Sequence, residues 1–392
     1  MAEVLMGWEM GAGLGHVVPL LAVARGLREH GHRPVLALRD VVEPAFLLGE
    51  DPVPVLQAPV WQPPPGYGRR MPATATLADI FVVMGFGDRD RIHAIVAGWD
   101  GLIDLVRPKL VVAEFSPALC LAARGRVPVV AIGNGFCLPP PGMETFPPLQ
   151  PDVKPLARQE DLLASVNRVQ RDRGAPPLPR LPALFDAEAQ FVYALSLLDP
   201  YAALRAEPAA GPFEPLPDAA PPPAQPHVYV YYGAELPGVK PLIDGLGQAG
   251  LPATVYLRGA PPEGLRRLER PGLRFLDAPP PYEDILPRCS VAVHYGALNT
   301  AAACLAAGRP QLSLPRQLER RLTAHALNKL GVGLTIPGKF TADHFAQSLR
   351  KTVDHPALAA NAAAAAAGLE RPGRGEVVNR IVERCLALIG ET

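Results

Sequence analysis

Residues 4–38 read VLMGWEMGAGLGHVVPLLAVARGLREHGHRPVLAL and decide the fold class. An apolar strand at residues 4–6 leads into a glycine-rich turn and then into a helix, which Gly31 ends before a second apolar strand at residues 35–38. Strand, helix and strand in this order predict a βαβ unit, and therefore a parallel sheet. The apolar helix positions fall at i, i+3, i+4 and i+7 and form one buried face: Leu20, Val23, Ala24 and Leu27.

The same pattern recurs along the rest of the chain. Residues 109–132 repeat strand, helix and strand, and from residue 227 onward strands again alternate with helices. A length of 392 residues exceeds what one hydrophobic core supports. The sequence therefore predicts an α/β protein with two Rossmann-like parallel-sheet domains, which we expect to face each other across a cleft.

Proline-rich sequence sets the predicted domain boundaries. Residues 205–226, RAEPAAGPFEPLPDAAPPPAQP, show no periodicity and are interpreted as a linker. The predicted domains are residues 1–204 and 227–375, and a final helix at 376–392 is expected to pack back on the N-terminal domain.

Composition excludes several classes of protein. Lys plus Arg and Asp plus Glu both number 38, so the basic excess typical of nucleic-acid binding is absent. The five cysteines are scattered without the spacing of zinc ligands, which predicts buried, reduced thiols and no metal site. The start of the sequence does not look like a signal peptide, and no apolar run of about 20 residues occurs. We expect a cytoplasmic protein without a transmembrane segment.

The glycine-rich turn at residues 11–16, GAGLGH, carries the first candidate site. A dinucleotide site with Asp40 as the ribose-binding acid is one alternative, but its G-x-G-x-x-G pattern requires glycine where this chain has His16. A histidine at a strand-to-helix turn takes up a proton when a carboxylate holds its other nitrogen. Glu114, at the end of an apolar strand on the same rim, is the predicted partner. The alternative is a plain helix start beside a solvated strand end.

A second turn, VAVHYGALNT at residues 291–300, is a strand followed by a helix start. Asn299 and Thr300 are predicted N-cap residues, and exposed amides there would suit a diphosphate. The next strand exit offers Glu319, whose carboxylate can accept hydrogen bonds from sugar hydroxyls. An ordinary capped helix and a charged surface loop are the alternatives.

Other polar and aromatic residues are open to two interpretations. Asp88-Arg89-Asp90 looks like a metal-binding DxD motif but is interpreted as a solvated helix start. Loop aromatics are predicted to line an apolar acceptor pocket beside Gly13 and Gly15, with ordinary loop packing as the alternative: Trp61, Tyr67 and Phe136.

Together the two turns resemble those of the GT-B glycosyltransferases, in particular the UDP-glycosyltransferase-like group that includes plant and macrolide glycosyltransferases. GAGLGHVVP at residues 11–19 is similar to that group's G-H-x-x-P turn, and residues 107–123 are similar to its P-D-L-V-V-x-D stretch. Residues 280–315 are similar to its donor-binding motif. The resemblance covers nearly the whole chain and is weakest in the middle.

The resemblance implies roles for these residues. His16 would be the general base and Glu114 the acid that orients it, in an acceptor-binding N-terminal domain. The C-terminal domain would bind a nucleoside-diphosphate sugar, with Glu319 at the sugar and Arg316 or Arg320 supplying positive charge; no cofactor or catalytic metal is implied. The residues expected around the diphosphate are His294, Tyr295, Gly296, Asn299 and Thr300.

The sequence departs from the family pattern at four positions. Glu114 stands in place of Asp, Tyr295 in place of the phosphate-binding histidine, and Arg320 in place of Gln. Pro279 stands roughly where a tryptophan usually stacks on the nucleobase. The hypothesis is an inverting transferase acting on a small, apolar acceptor, with UDP or TDP as the nucleotide of a bacterial enzyme. A degenerate nucleotide-binding or scaffold protein and a sugar-nucleotide epimerase are the alternatives.

Overall fold

The computed structural model describes residues 1–49, 53–62 and 72–391 and divides into two compact units. The first unit comprises Met1–Tyr193, Tyr201–Phe213 and Gly373–Thr392. Its sheet is formed by β1 (Glu3–Trp8), β2 (Arg33–Leu38), β3 (Val55–Gln57), β4 (Leu110–Glu114), β5 (Val129–Gly133) and β6 (Ala189–Val192). Its helices before residue 194 are α1 (Val17–Glu29), α2 (Ala45–Leu48), α3 (Leu77–Met84), α4 (Arg89–Val106), α5 (Pro117–Ala123) and α6 (Gln159–Asp172).

All six strands of the first unit are parallel, in the order β3-β2-β1-β4-β5-β6. Both faces of such a sheet are covered, so β5, and β4 up to its terminal Glu114, are apolar, and both strands are buried at every position. The predicted apolar face of α1 is buried, and Gly31 follows its C-cap in a left-handed conformation with φ of 80°. The predicted first βαβ unit is therefore confirmed.

The second unit comprises Ala194–Pro200 and Glu214–Pro372. Its sheet, also entirely parallel, has the order β12-β11-β10-β7-β8-β9. Its strands are β7 (Val228–Gly233), β8 (Ala253–Arg258), β9 (Leu273–Leu276), β10 (Val291–His294), β11 (Gln311–Ser313) and β12 (Gly333–Thr335). Its helices are α7 (Val239–Ala249), α8 (Pro262–Arg266), α9 (Tyr282–Ile285), α10 (Leu298–Ala306), α11 (Leu318–Lys329), α12 (Ala342–Val353) and α13 (Pro356–Ala367).

The two sheets share one topology, because each places its first strand beside its fourth and reverses the strand order there. In the first unit the reversal lies between β1 and β4, and in the second between β7 and β10. Open parallel sheets bind ligands at the carboxyl ends of the strands on either side of such a reversal. Both predicted sites follow strands at these two points. The predicted fold class of two Rossmann-like parallel sheets is confirmed.

The unit boundaries differ from the predicted ones in the middle of the chain and near its end, where residues 373–375 belong to the first unit rather than the second. Residues 194–200 lie in the second unit rather than in a domain ending at residue 204, because Leu195 and Leu198 pack into a cluster with residues of α10 and α11. The division falls between Phe213 and Glu214, inside the segment interpreted as a linker. The last helix, α14 (Glu376–Glu391), belongs to the core of the first unit.

Two further observations concern the cysteines and the apolar character of the helices. All five cysteines are buried and free of disulfide bonds, as the sequence predicts. Within the described ranges, no helix combines the length and the apolar character needed to cross a bilayer.

Candidate active site

His16 and Glu114 meet at the reversal point of the first sheet. The parallel register pairs Trp8 with Glu114, so the turn after β1 and the end of β4 emerge side by side. His16 closes a 3-10 turn before α1, and its Nδ1 lies 2.9 and 2.8 Å from Oε1 and Oε2 of Glu114. Because a carboxylate only accepts hydrogen bonds, Nδ1 donates, and Nε2 is the basic nitrogen of the ring. The structure thus brings together the two residues that the sequence pairs.

Glu114 has a second partner that sequence reasoning missed. Its side chain is fully buried, and the Tyr193 hydroxyl donates a hydrogen bond to Oε1 over 2.6 Å. Tyr193 follows β6 directly, and its ring packs edge-on against Phe213. A polar aromatic residue at a strand end on this rim is the signal available in the sequence. With two donors, the carboxylate is fixed in one orientation.

Aromatic rings and glycines shape the surroundings of His16. The imidazole stacks against Trp8, with centroids 5.3 Å apart, and against Phe115 at 6.3 Å. Gly11 has a φ of 85°, and a Cβ there would collide with Nε2 of His16, so a side chain at this position would be strained and would displace the imidazole. Gly13 also has a positive φ, of 95°, whereas a Cβ on Gly15 would meet no neighbour.

The aromatic residues predicted to line an acceptor pocket pack inside the first unit. Trp61 is 2% exposed, stacks on Phe86 at 4.4 Å and donates its indole N–H to Glu9. Phe136, in the loop after β5, is also buried. This packing matches the alternative interpretation of ordinary loop packing, and an acceptor pocket at these two residues stays a prediction. Tyr67 lies outside the described residues.

Two acidic residues that the sequence offers as candidate ligand-binding residues have structural roles. Asp88 is the N-cap of α4 and accepts the backbone N–H groups of Asp90 and Arg91, which confirms its interpretation as a helix start. Asp40 accepts the backbone N–H groups of Val42 and Glu43 after β2. Among the described residues, no group of three or more His, Cys, Asp or Glu side chains is arranged to hold a metal ion.

His294 is not available to a phosphate, contrary to the prediction. It is fully buried at the end of β10; its Nε2 is 2.8 Å from Oε1 of Gln311 and its Nδ1 accepts the N–H of Gly296. Burial lowers the pKa of His294 to about 4, although the hydrogen bond to Gln311 opposes the shift. The ring is therefore neutral near pH 7 and holds the turn after β10 in place.

Tyr295 and Gly296 form the contact between this turn and α11. The Arg320 guanidinium lies 4.3 Å from the centroid of the buried Tyr295 ring. Gly296 has a φ of 88°, and a Cβ on it would lie 2.7 Å from the Arg320 carbonyl oxygen. A cation therefore stands beside the turn although Tyr295 itself carries no charge.

The N-terminus of α10 is built differently from the prediction. Ala297 is the N-cap, and Asn299 and Thr300 lie in the first turn of the helix. Thr300 is the third residue of the helix, and its Oγ1 pairs with the Tyr282 hydroxyl over 2.8 Å. Asn299 is exposed, and no side chain caps α10. The first-turn amides of α10 form the kind of site that binds anions.

The three sugar-site candidates lie at or just before the start of α11. Glu319 is in its first turn and half-buried, with its backbone carbonyl accepting the Thr323 hydroxyl. Arg316 donates to the Pro237 carbonyl over 3.0 Å, and its guanidinium lies 5.7 Å from the Phe340 ring centroid. Arg316 is thus engaged with the Pro237 carbonyl, whereas the Arg320 guanidinium lies over the Tyr295 ring in the turn after β10.

The fold is shared with glycosyltransferases of known structure. The calicheamicin glycosyltransferase CalG4 aligns with a TM-score of 0.72 at 16% identity, over 99% of this chain and 98% of its own. VinC, solved in complex with dTDP, aligns with a TM-score of 0.65 at 15% identity over the whole of both chains. The fold of this chain is therefore the GT-B fold.

Sequence comparisons find relatives that match part of this chain. Residues 263–384 match the model of the erythromycin biosynthesis protein CIII-like C-terminal domain. The elloramycin glycosyltransferase ElmGT of Streptomyces olivaceus is 35% identical over 109 residues, which span 25% of this chain and 28% of that protein. The chain thus matches less than a third of this relative's length. Together these findings confirm the resemblance to the macrolide-type group of GT-B glycosyltransferases.

Proposed function

We propose that this protein is an inverting glycosyltransferase that moves a sugar from a nucleoside-diphosphate sugar to a hydroxyl group of a small acceptor. The observation that carries the proposal is the hydrogen-bonded pair of His16 and Glu114 at the reversal point of the first sheet. The pair stands on a fold that aligns along its whole length with glycosyltransferases.

In the proposed reaction, Nε2 of His16 takes the proton of the acceptor hydroxyl. Glu114 stabilises the imidazolium that forms, and Tyr193 keeps the carboxylate oriented. The acceptor oxygen then bonds to the anomeric carbon as the bond from that carbon to the diphosphate oxygen breaks. Attack opposite the leaving group inverts the anomeric configuration. The apolar rings of Trp8 and Phe115 beside His16 favour an acceptor with an apolar body.

For the donor we propose a diphosphate site at the N-terminus of α10. Its first-turn amides and the exposed Asn299 would donate to phosphate oxygens, and Arg320 would supply the positive charge. Glu319 remains our proposal for the sugar hydroxyls. Since VinC was solved with dTDP, thymidine diphosphate is the first nucleotide to test.

We also propose that the enzyme acts in the cytoplasm and uses no catalytic metal. The five cysteines are buried and outside disulfide bonds, which favours a reducing compartment.

The proposal is tested by incubating the protein with TDP- and UDP-sugars and a panel of small hydroxylated acceptors. We expect nucleoside diphosphate release that depends on the acceptor, a product heavier by one sugar in mass spectrometry, and an inverted anomeric configuration by NMR. Release that survives addition of a chelator would support independence from metal. Epimerised donor without any acceptor would point instead to an epimerase.

A nucleotide-binding protein without transferase activity is the second candidate. It is favoured by one observation, that His294 and Tyr295 make contacts within the protein rather than facing a ligand. Tight nucleoside diphosphate binding without release across the whole acceptor panel would support this candidate and contradict transfer.

A further inference from the structure

Glu9, directly after β1, is a fully buried carboxylate that the proposed mechanism does not use. Its Oε1 accepts the indole N–H of Trp61 at 3.2 Å and the backbone N–H of Ala118 at 2.8 Å. Its Oε2 accepts the indole N–H of Trp99 at 2.6 Å and the backbone N–H of Leu119 at 3.2 Å. Four donors thus converge on one side chain, two on each oxygen, and only a carboxylate can accept from all of them.

The position of Glu9 joins the two chain segments that carry His16 and Glu114. Those residues are 98 positions apart in the sequence, so their geometry depends on how the segments are held together. Glu9 begins the segment that leads to His16, and the amides it binds lie in α5, shortly after Glu114. The backbone N–H of Met10 donates to the Phe115 carbonyl between the same two segments.

The short segment between Glu114 and α5 has a strained backbone that its surroundings must stabilise. Phe115 has a φ of 41°, a left-handed conformation that a residue with a side chain seldom adopts and that is retained only where the surroundings enforce it. The Ser116 hydroxyl bonds to the Gly7 carbonyl on one side of this strained residue. Glu9 binds the amides of α5 immediately beyond it.

We propose that Glu9 is a positioning residue, whose carboxylate clamps the turn that carries His16 to the strand end that carries Glu114. The clamp determines the distance and orientation between Nδ1 of His16 and the Glu114 carboxylate. Through the Trp61 indole it also holds the segment at residues 58–62. Its kinetic consequence rests on the proposed function, whereas its effect on the His16–Glu114 hydrogen bond does not. Two indole donors and the strained Phe115 distinguish this arrangement from an ordinary helix cap.

The test is Glu9→Gln, which keeps the shape but turns an amide NH₂ toward donors. The matched control is Asp79→Asn, another fully buried carboxylate of the first unit, which accepts backbone N–H groups of Ala75, Thr76 and Leu156. Protein labelled with ¹⁵N-histidine shows the Nδ1–H of His16 as a downfield proton signal, assigned by its loss in His16→Gln. We expect this signal to shift or broaden in Glu9→Gln and to stay in place in Asp79→Asn.

A kinetic measurement accompanies the spectrum, at a pH of about 8. Glu9→Gln should lower kcat by about 10- to 100-fold, because a small misplacement of a reacting group has an effect of that order. The donor KM should stay within about twofold of the unmodified enzyme, as the clamp lies in the first unit. If the protein proves not to be a transferase, the NMR comparison still decides on the clamp.

Each result bears on the proposal. An unchanged His16 signal in folded Glu9→Gln, or an equal shift in Asp79→Asn, would overturn it. Should Glu9→Gln fail to fold, Trp61→Phe removes one donor and keeps a ring against Phe86. A smaller shift of the same His16 signal in Trp61→Phe then supports the clamp, and no shift rejects it.

Discussion

The imidazole of His16 is held between a buried carboxylate and two aromatic rings, so its removal can be separated from nucleotide binding. We predict that His16→Ala lowers kcat by about 10²- to 10⁴-fold, the usual contribution of a general base. The dissociation constant for TDP should change by less than about twofold, because the proposed diphosphate site belongs to the other unit. Calorimetry and a transfer assay measure the two quantities.

The control for this substitution is His30→Ala, at the far end of α1. His30 is exposed, and its Nδ1 contacts the Gly26 carbonyl. The His30→Ala substitution should leave kcat and TDP affinity unaltered. If His16→Ala weakened TDP binding as strongly as transfer, the assignment of His16 as the base would be rejected.

The burial of Glu9 also leads us to predict how the free energy of unfolding depends on pH. Burial raises the pKa of Glu9 from 4.5 to about 7, outweighing four hydrogen bonds that lower it. Between pH 4.5 and about 7 the folded state therefore holds a proton on Glu9 that the unfolded state releases, and above about pH 7 Glu9 is the carboxylate that accepts from four donors. The free energy of unfolding should fall by roughly 3 kcal/mol as the pH rises from 4.5 to about 7, and Glu9 adds no further slope above that.

The effect of Glu9 must be separated from that of two other groups with shifted pKa values. His294, whose pKa is lowered to about 4, gives a slope of opposite sign up to about pH 6.5, since its folded form binds fewer protons. Burial raises the pKa of the Cys120 thiol beside Glu9, so that group stays protonated. Urea unfolding of the unmodified protein and of Glu9→Gln across this pH range isolates Glu9 by subtraction. Identical slopes in both proteins would contradict the prediction.

Among the structural elements, the turn after β10 depends on close backbone packing against α11. We predict that Gly296→Ala destabilises the second unit by about 2–4 kcal/mol, because a left-handed alanine and a collision with the Arg320 carbonyl act together. TDP affinity should fall as well, since the turn leads into α10. Chemical unfolding and calorimetry measure both.

Gly250→Ala is the matched control for the turn. Gly250 also has a positive φ, of 66°, at the end of α7, but a Cβ there would meet no neighbour. Gly250→Ala should lower the free energy of unfolding only by the cost of a left-handed alanine, about 1–2 kcal/mol. It should leave TDP binding unchanged. Equal losses in the two variants would show that the contact with Arg320 does not matter.

Elements with a strong local pattern could be predicted from the sequence, and those set by distant contacts could not. β1, α1 and β2 follow from apolar periodicity and a terminal glycine, and the strand predicted at the start of residues 291–300 is β10. β3 and β6 are short and their residues are largely half-buried, so no apolar run marks them. α10 begins one residue before Asn299, and the partner of the Thr300 hydroxyl, Tyr282, lies 18 residues earlier, where no local pattern indicates it.

The same distinction holds for the candidate site. His16 and Glu114 could be paired because the ends of adjacent parallel strands meet at one rim. Tyr193 and Glu9 could not be connected to the site, since their partners lie 52 to 110 residues away in the sequence. His294 was misassigned for a related reason: its partner Gln311 lies on the next strand, and residue type alone does not show which way the ring faces.

At the scale of the whole molecule, the C-terminus of the chain completes the core of the first unit. α14 packs on α1 so closely that a Cβ on Gly26 would lie 2.7 Å from a methyl carbon of Val382. Its buried face adds several large side chains to the core: Val377, Ile381, Val382 and Leu388. At about 1.5–3 kcal/mol each, their burial is worth roughly 6–12 kcal/mol, which is comparable with the entire stability of a domain.

We therefore predict that a chain ending at residue 372 keeps a folded second unit and loses the first. Hydrogen exchange should show β1, β4 and α1 exchanging rapidly while β7 and β10 stay protected, because every strand of the second sheet lies before the truncation. A peptide of residues 373–392 added in trans should restore protection to the first unit. In the full-length chain, Ile381→Ala should weaken that unit and the exposed Arg380→Ala should not. Protection of β1 and β4 in the truncated chain would mean that α14 is dispensable, and that the first sheet is stabilised by the preceding residues alone.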